Sequence, residues 1–414
     1  FNKNWTATGA FSNAETCAQG CHVSDGSEMD HLGEDISPNT QWKHSVMANS
    51  FNDPYWQAAV EDETATFPDL AGFIEDTCTT CHAPMGRTHA HHSNTDLDVD
   101  GHYRMDTATA ADISREGISC TACHQIEDGN LGSEDSFSGG FEIAKAGEAS
   151  FKNVYGQYGS PVNANMMSNF TGGHRPVQGL HISESALCAT CHTLYTPSIH
   201  PDTGLPTGTN FLEQAVYLEW QNSVYNGVKQ CQECHMPEPT PGYETAITLN
   251  PATAPGNRSP YRQHTLAGGN THLLEILSEY SSELGIDTTT TTAGFDKQID
   301  LTREVLATAA SLAISTPVPN GDILEFGVEV TNNTGHKLPA AYPSRRSWLH
   351  VTVKDGNDQV IFESGKPDSD GYISTDEARL KADCMSVVKY DGFDSSLCYE
   401  PHRDVITDES QIAI

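Results

Sequence analysis

Apolar residues in this chain fall into few long periodic runs. Over residues 1 to about 275 they are scattered among Gly, Asn, Pro and short polar turns, and only Trp42 to Val60 and Phe211 to Tyr225 space them at roughly helical intervals. From Thr271 to Tyr280 and from Phe295 to Ile314 the pattern becomes helical, with the Thr288 to Thr292 run between them reading as a surface linker. The period then changes. Ile323 to Val330, Trp348 to Val353 and Val360 to Phe362 alternate or cluster β-branched and aromatic residues, with turn signals such as Asp355-Gly356 between them. The pattern predicts a mostly irregular and α region of short helices and loops over 1–275, a helical connector over 276–318 and a small β-sandwich domain over 319–414.

Composition changes this picture in two ways. Hydrophobic residues make up only 37% of the 414 positions, too few for an ordinary aliphatic core of that length, so other apolar material is expected inside the first region. The formal charge of −34 repels nucleic acid and anionic lipid and favours solubility or cationic partners. No run of about 18 apolar residues is present, so no segment is expected to span a membrane.

The cysteines supply the missing material. Cys17-Ala-Gln-Gly-Cys21-His22 is a stretched C-x3-C-H, and strict C-x-x-C-H copies follow at Cys78, Cys81, His82; Cys120, Cys123, His124; Cys188, Cys191, His192; and Cys231, Cys234, His235. Two thiols one turn apart add to the two vinyl groups of one haem, and the adjacent His meets the iron. A zinc site would have to combine motifs into four-ligand sets and would leave the adjacent His unexplained. Five covalent haems c are therefore expected, each bringing a large apolar disc for short helices to wrap. The extra residue before Cys21 requires a bulged loop. Cys78 and Cys120 are 42 positions apart and Cys188 and Cys231 are 43 apart, which suggests two haem pairs plus one N-terminal haem.

Each iron needs a partner opposite its motif His, and fourteen of the nineteen histidines remain. His31, His44, His91, His181, His264 and His336 are the candidate distal ligands, with His89, His92, His102 and His174 weaker ones. Met47, Met85, Met166 and Met167 are the alternative, which would raise the potential of the iron they bind. Trp42, Tyr55, Trp56, Tyr195 and Trp220 read as packing for haem. Asp96, Asp98 and Asp100 place oxygens at alternate positions before Gly101, like the start of a Ca²⁺ loop lacking its terminal Glu; an acidic turn is the other reading. Asp368, Asp370 and Asp376 form a weaker cluster. Cys384 and Cys398 are left over and most simply form a disulfide, which fits an oxidising compartment. Covalent haem is added outside the cytoplasm, so an export signal ahead of Phe1 is expected to have been removed.

Several segments together resemble exported multihaem c-type cytochromes. They are Trp42-Lys-His-Ser-Val-Met-Ala-Asn-Ser, Cys78-Thr-Thr-Cys-His-Ala-Pro-Met, Ser136-Phe-Ser-Gly-Gly, His181-Ile-Ser-Glu-Ser-Ala-Leu-Cys-Ala-Thr-Cys-His and Cys231-Gln-Glu-Cys-His-Met-Pro. Thr334-Gly-His-Lys-Leu-Pro, Tyr342-Pro-Ser-Arg-Arg-Ser-Trp-Leu-His and Glu400-Pro-His add to them. The resemblance implies extracellular electron transfer through bis-His haems, in some relatives as filament subunits (nanowires). There a His of one subunit ligates a haem of the next, which makes His31 or His44 the candidate donor across a head-to-tail contact between identical subunits. Other redox proteins or extracellular acceptors would be further partners, and nucleic acid would not. Two readings stay beside this one. A periplasmic or surface reductase of nitrogen or sulfur oxyanions would need an open iron, with His174 and Arg175 lining it. In the other, the β domain would bind a surface glycan or partner around structural haems.

Overall fold

A computed structural model describes residues 5–147, 152–159, 167–169, 171–200, 203, 205–249, 256–321, 323–342 and 345–367. The chain divides into two compact units, Phe1–Pro343 and Ser344–Ile414.

The first unit opens with the short hairpin β1 (Ala7–Thr8) and β2 (Phe11–Ser12), then helix α1 (Ala14–Ala18), hairpin β3 (Asp30–His31) and β4 (Glu34–Asp35), and α2 (Pro38–Trp42). Longer helices follow in α3 (Pro54–Thr66), α4 (Ala71–His82) and α5 (Pro84–Ser93), then short ones in α6 (Met105–Ala110), α7 (Asp112–Arg115) and α8 (Cys120–Cys123). Strands β5 (Lys152–Gly156) and β6 (His174–Gln178) pair in parallel. Next come α9 (Ser185–His192), the antiparallel ladder β7 (Leu194–Ile199) with β8 (Pro206–Gln214), α10 (Val216–Gln221) and α11 (Cys231–His235). The unit closes with α12 (Thr271–Glu279), α13 (Thr292–Ala309) and strands β9 (Ala310–Ile314), β10 (Val318–Asn320), β11 (Ile323–Glu325) and β12 (Val328–Asn332).

Local chemistry sets these boundaries. The helical spacing from Trp42 to Val60 is broken because Asn49 bonds the carbonyls of Lys43 and Ser45 and Asn52 bonds that of Arg115, drawing side chains into the backbone ladder. The helix restarts at Pro54, where Asp53 caps the N–H groups of Tyr55 and Trp56. Phe211 to Tyr225 is likewise divided, its first residues lying in β8 and the rest in α10 and the turn after it. Thr291, at the end of the Thr run, caps α13 by accepting from Gly294 N–H, so the run sets the start of that helix.

Buried apolar residues form several separate clusters. Phe11, Met85, Ile113, Ala122 and Ile126 form one; Phe51, Trp56, Val60, Ala83 and Tyr103 another; Leu273, Leu274, Leu277, Phe295 and Ile299 a third between α12 and α13. The expected helical connector over 276–318 begins inside this last cluster and ends in β9 and β10. The β-sandwich expected over 319–414 lies in large part outside the described residues. The strands that are described make isolated two-stranded ladders, β9 with β12 and β10 with β11 in the first unit. In the second unit, β13 (Val351–Lys354) pairs with β14 (Val360–Ser364) around the Asp355-Gly356 turn. Among the described residues no helix is long and apolar enough to cross a membrane.

Candidate haem-attachment sites

Numbered along the chain, the strict motifs are sites 2 to 5, and each sits on one short helical turn. Site 2 ends α4, site 3 is α8 with His124 as its cap, site 4 ends α9 and site 5 is α11. A helical turn puts residues i and i+3 on one face, so the two thiols of each motif point the same way. Site 1 differs as its spacing requires. Cys17 lies in α1, the helix stops at Gln19, and Gly20 takes φ +66° before Cys21 and His22. Glycine is the residue that adopts this bulge without strain.

Four of the five motif histidines, His22, His82, His124 and His235, are oriented by main-chain carbonyls. Nδ1 of His22 lies 2.6 Å from Ile247 O, that of His82 3.0 Å from Ser50 O, that of His124 2.7 Å from Tyr155 O and that of His235 2.7 Å from Ala267 O. A ring nitrogen meets a carbonyl only by donating, so each of these rings carries its proton on Nδ1 and presents the Nε2 lone pair. Burial pushes all four below the usual histidine range, His82 to about 4, which keeps them neutral as an iron ligand must be. Trp56 stacks on the His82 ring at 4.3 Å between centres, 3° from parallel.

Two candidate distal histidines face motif histidines. The ring centres of His124 and His264 are 6.4 Å apart with planes 21° from parallel, and those of His235 and His336 are 6.4 Å apart at 12°. That is too far for stacked rings in contact. Two imidazoles trans on one metal ion, at about 2 Å from metal to nitrogen and about 1.15 Å more to each ring centre, give about 6.3 Å. His264 and His336 keep Nδ1 on the carbonyls of Arg262 (3.1 Å) and Lys337 (2.8 Å), so their Nε2 lone pairs also remain for a metal. Burial, and then the neighbouring His124, push His264 down to about 3. The donor sets of sites 3 and 5 thus fit a six-coordinate haem iron.

The other candidates are placed differently. His44 uses both nitrogens inside the protein, donating to Thr40 O (3.0 Å) and accepting from Thr291 N–H (3.1 Å). His91 Nε2 is 2.6 Å from Asp76 Oδ1, in a buried cluster where that carboxylate also takes Arg87 and Tyr103 N–H. His181 Nε2 lies 2.9 Å from Ile126 O, leaving Nδ1, and its ring sits edge-on to Tyr155. His31 lies on β3, edge-on to Tyr243 at 5.5 Å. His174 is fully buried with its nitrogens on Thr171 O and Ala10 O, an arrangement that suits a core histidine. Met85 is buried, with Sδ 3.5 Å from Thr121 Oγ1. His102 Nδ1 faces Asp98 at 3.6 Å.

The acidic loop is satisfied by the protein itself. Asp98 Oδ1 accepts from the N–H groups of Asp100 and His102, and Oδ2 meets Arg104 at 3.4 Å. No group of three or more His, Cys, Asp or Glu side chains poised for a metal ion, Asp96, Asp98 and Asp100 included, occurs among the described residues. Cys384, Cys398 and the Asp368, Asp370, Asp376 cluster lie outside those residues.

The carbonyls of Ser50, Tyr155, Ile247 and Ala267 are the ring partners that motif reading misses. Every residue has a carbonyl, so nothing in the sequence distinguishes these four.

No family model and no curated protein matches the chain. Among solved structures, it is similar to a penta-heme cytochrome c552 from Thermochromatium tepidum, at 16% identity and a TM-score of 0.48, over 88% of this chain and 81% of that one.

Proposed function

We propose that this protein is a pentahaem c-type cytochrome that relays electrons between bis-His haems. One observation carries the reading: in the chain's own geometry, histidine rings 6.4 Å apart face each other across sites 3 and 5, each with Nδ1 tied to a carbonyl. Iron held by two imidazoles has no open position and exchanges an electron with little rearrangement. The cysteines would fix each porphyrin through two thioethers, and the carbonyls of Ser50, Tyr155, Ile247 and Ala267 would hold the proximal rings against rotation and raise their basicity. The separate apolar clusters would close around the porphyrin faces.

The finer reading is an exported, extracellular protein working as a filament subunit, with identical copies and other redox proteins or extracellular acceptors as partners. His31, paired in ring contact with Tyr243 in a short hairpin, is the donor we assign across a head-to-tail contact. Haem quantitation with electron paramagnetic resonance tests the relay: five covalent haems, all low-spin, are expected. A native high-spin iron that binds nitrite or hydroxylamine stoichiometrically would overturn it in favour of a reductase. Electron microscopy of the native preparation tests the filament, and isolated monomers at high concentration would refute that part.

A further inference from the structure

We propose that the five sites meet in an order the chain does not follow: site 1 against site 3, site 3 against site 4, and site 4 against both site 2 and site 5. The Cys188–His192 turn is then a branch point. The inference rests on the relay reading and specifies its wiring.

Sites 1 and 3 are joined by one buried carboxylate. Glu116 Oε1 accepts from Ala14 N–H at the start of α1 (2.6 Å) and from Ser119 Oγ just before Cys120 (2.8 Å). Thr121, inside the site 3 turn, exchanges bonds with the N–H and carbonyl of Ser12, and Cys120 packs on Ala14 and Trp42. Sites 2 and 4 are joined through Gly139. Its N–H donates to Thr190 O inside the site 4 turn (2.6 Å), while a Cβ there would meet Thr80 inside the site 2 turn and lie 3.6 Å from Cys81 Sγ. Only a residue without a side chain lets the two turns approach this closely, and φ of +79° favours glycine again.

Sites 4 and 5 share their helix starts. Ser185 N–H and Oγ both reach Gln230 Oε1, Cys231 N–H donates to Ser185 Oγ (3.0 Å), and Gln232 Nε2 bonds the carbonyls of Ile182 and Glu184. Sites 3 and 4 meet where Leu187 packs on the cluster containing Ala122, and where His181 reaches Ile126 O.

The test is an experimental structure of the haem-loaded chain by cryo-electron microscopy or crystallography. The expected map shows the haem of Cys188 and Cys191 beside three others, the haem of site 5 beside that one alone, and the haems of sites 1 and 2 not adjacent. A consecutive stack, or any other order of five haems, overturns the wiring and leaves the relay standing. Fewer than five covalent haems in the mass of the same preparation overturns the relay itself, and the wiring with it.

Discussion

Replacing His264 by Ala removes the ring that faces His124 at 6.4 Å. That separation is within about 0.1 Å of the one two imidazoles sharing one iron would have, so under the proposed ligation the variant would take the sixth ligand from one haem of five. About 20% of the iron should change from low to high spin, with the remaining four-fifths unaffected. The structural cost is small. The Nδ1 bond to Arg262 O is lost, worth about 1 kcal/mol, while the main-chain bond from His264 N–H to Gln41 Oε1 at 2.8 Å survives. Electron paramagnetic resonance of the oxidised variant reads the high-spin fraction, and added imidazole should restore the low-spin signal by filling the position. His336→Ala should give a second fifth, and the double variant about two-fifths, because the two irons are separate. An unchanged low-spin spectrum in His264→Ala would refute the assignment.

Gly139→Ala should destabilise by about 2–4 kcal/mol, from overpacking against Thr80 and from a side chain at positive φ; a thermal melt within a degree of the parent would show the two turns free to part. Burial alone would raise the Asp76 carboxyl, but Arg87, His91 and Tyr103 N–H hold it below the usual carboxylate range. Its contribution is therefore full above about pH 4 and is lost as pH falls through the lower folded value. Asp76→Asn should accordingly lower the melting temperature at pH 7 and converge with the parent near the acid limit, and a deficit that persists unchanged into strong acid would contradict this. Chain expressed without haem attachment should lack native structure by circular dichroism, because the apolar clusters are small and separate; a cooperative melt of haem-free chain would count against that.

The sequence by itself determined what is local. Two cysteines and a histidine within five positions mark a candidate haem-attachment motif by spacing alone, so candidate sites 2 to 5 could be picked out along the chain, as could the bulge at Gly20 in site 1. The helix from Thr271 to Glu279 and the ladder around Asp355-Gly356 were equally readable, since periodicity and turn chemistry act between near neighbours. Trp42 to Val60 misled because asparagine side chains and Pro54 override its helical spacing. His264 and His336 stood among the candidates, yet only tertiary structure sets one opposite His124 and the other opposite His235, about a hundred or more positions away along the chain. Tertiary structure alone also chose the carbonyls that hold the proximal rings and the glycine through which sites 2 and 4 touch. Covalent attachment is a property of a motif; opposition and adjacency are properties of packing, which no spacing along the chain encodes.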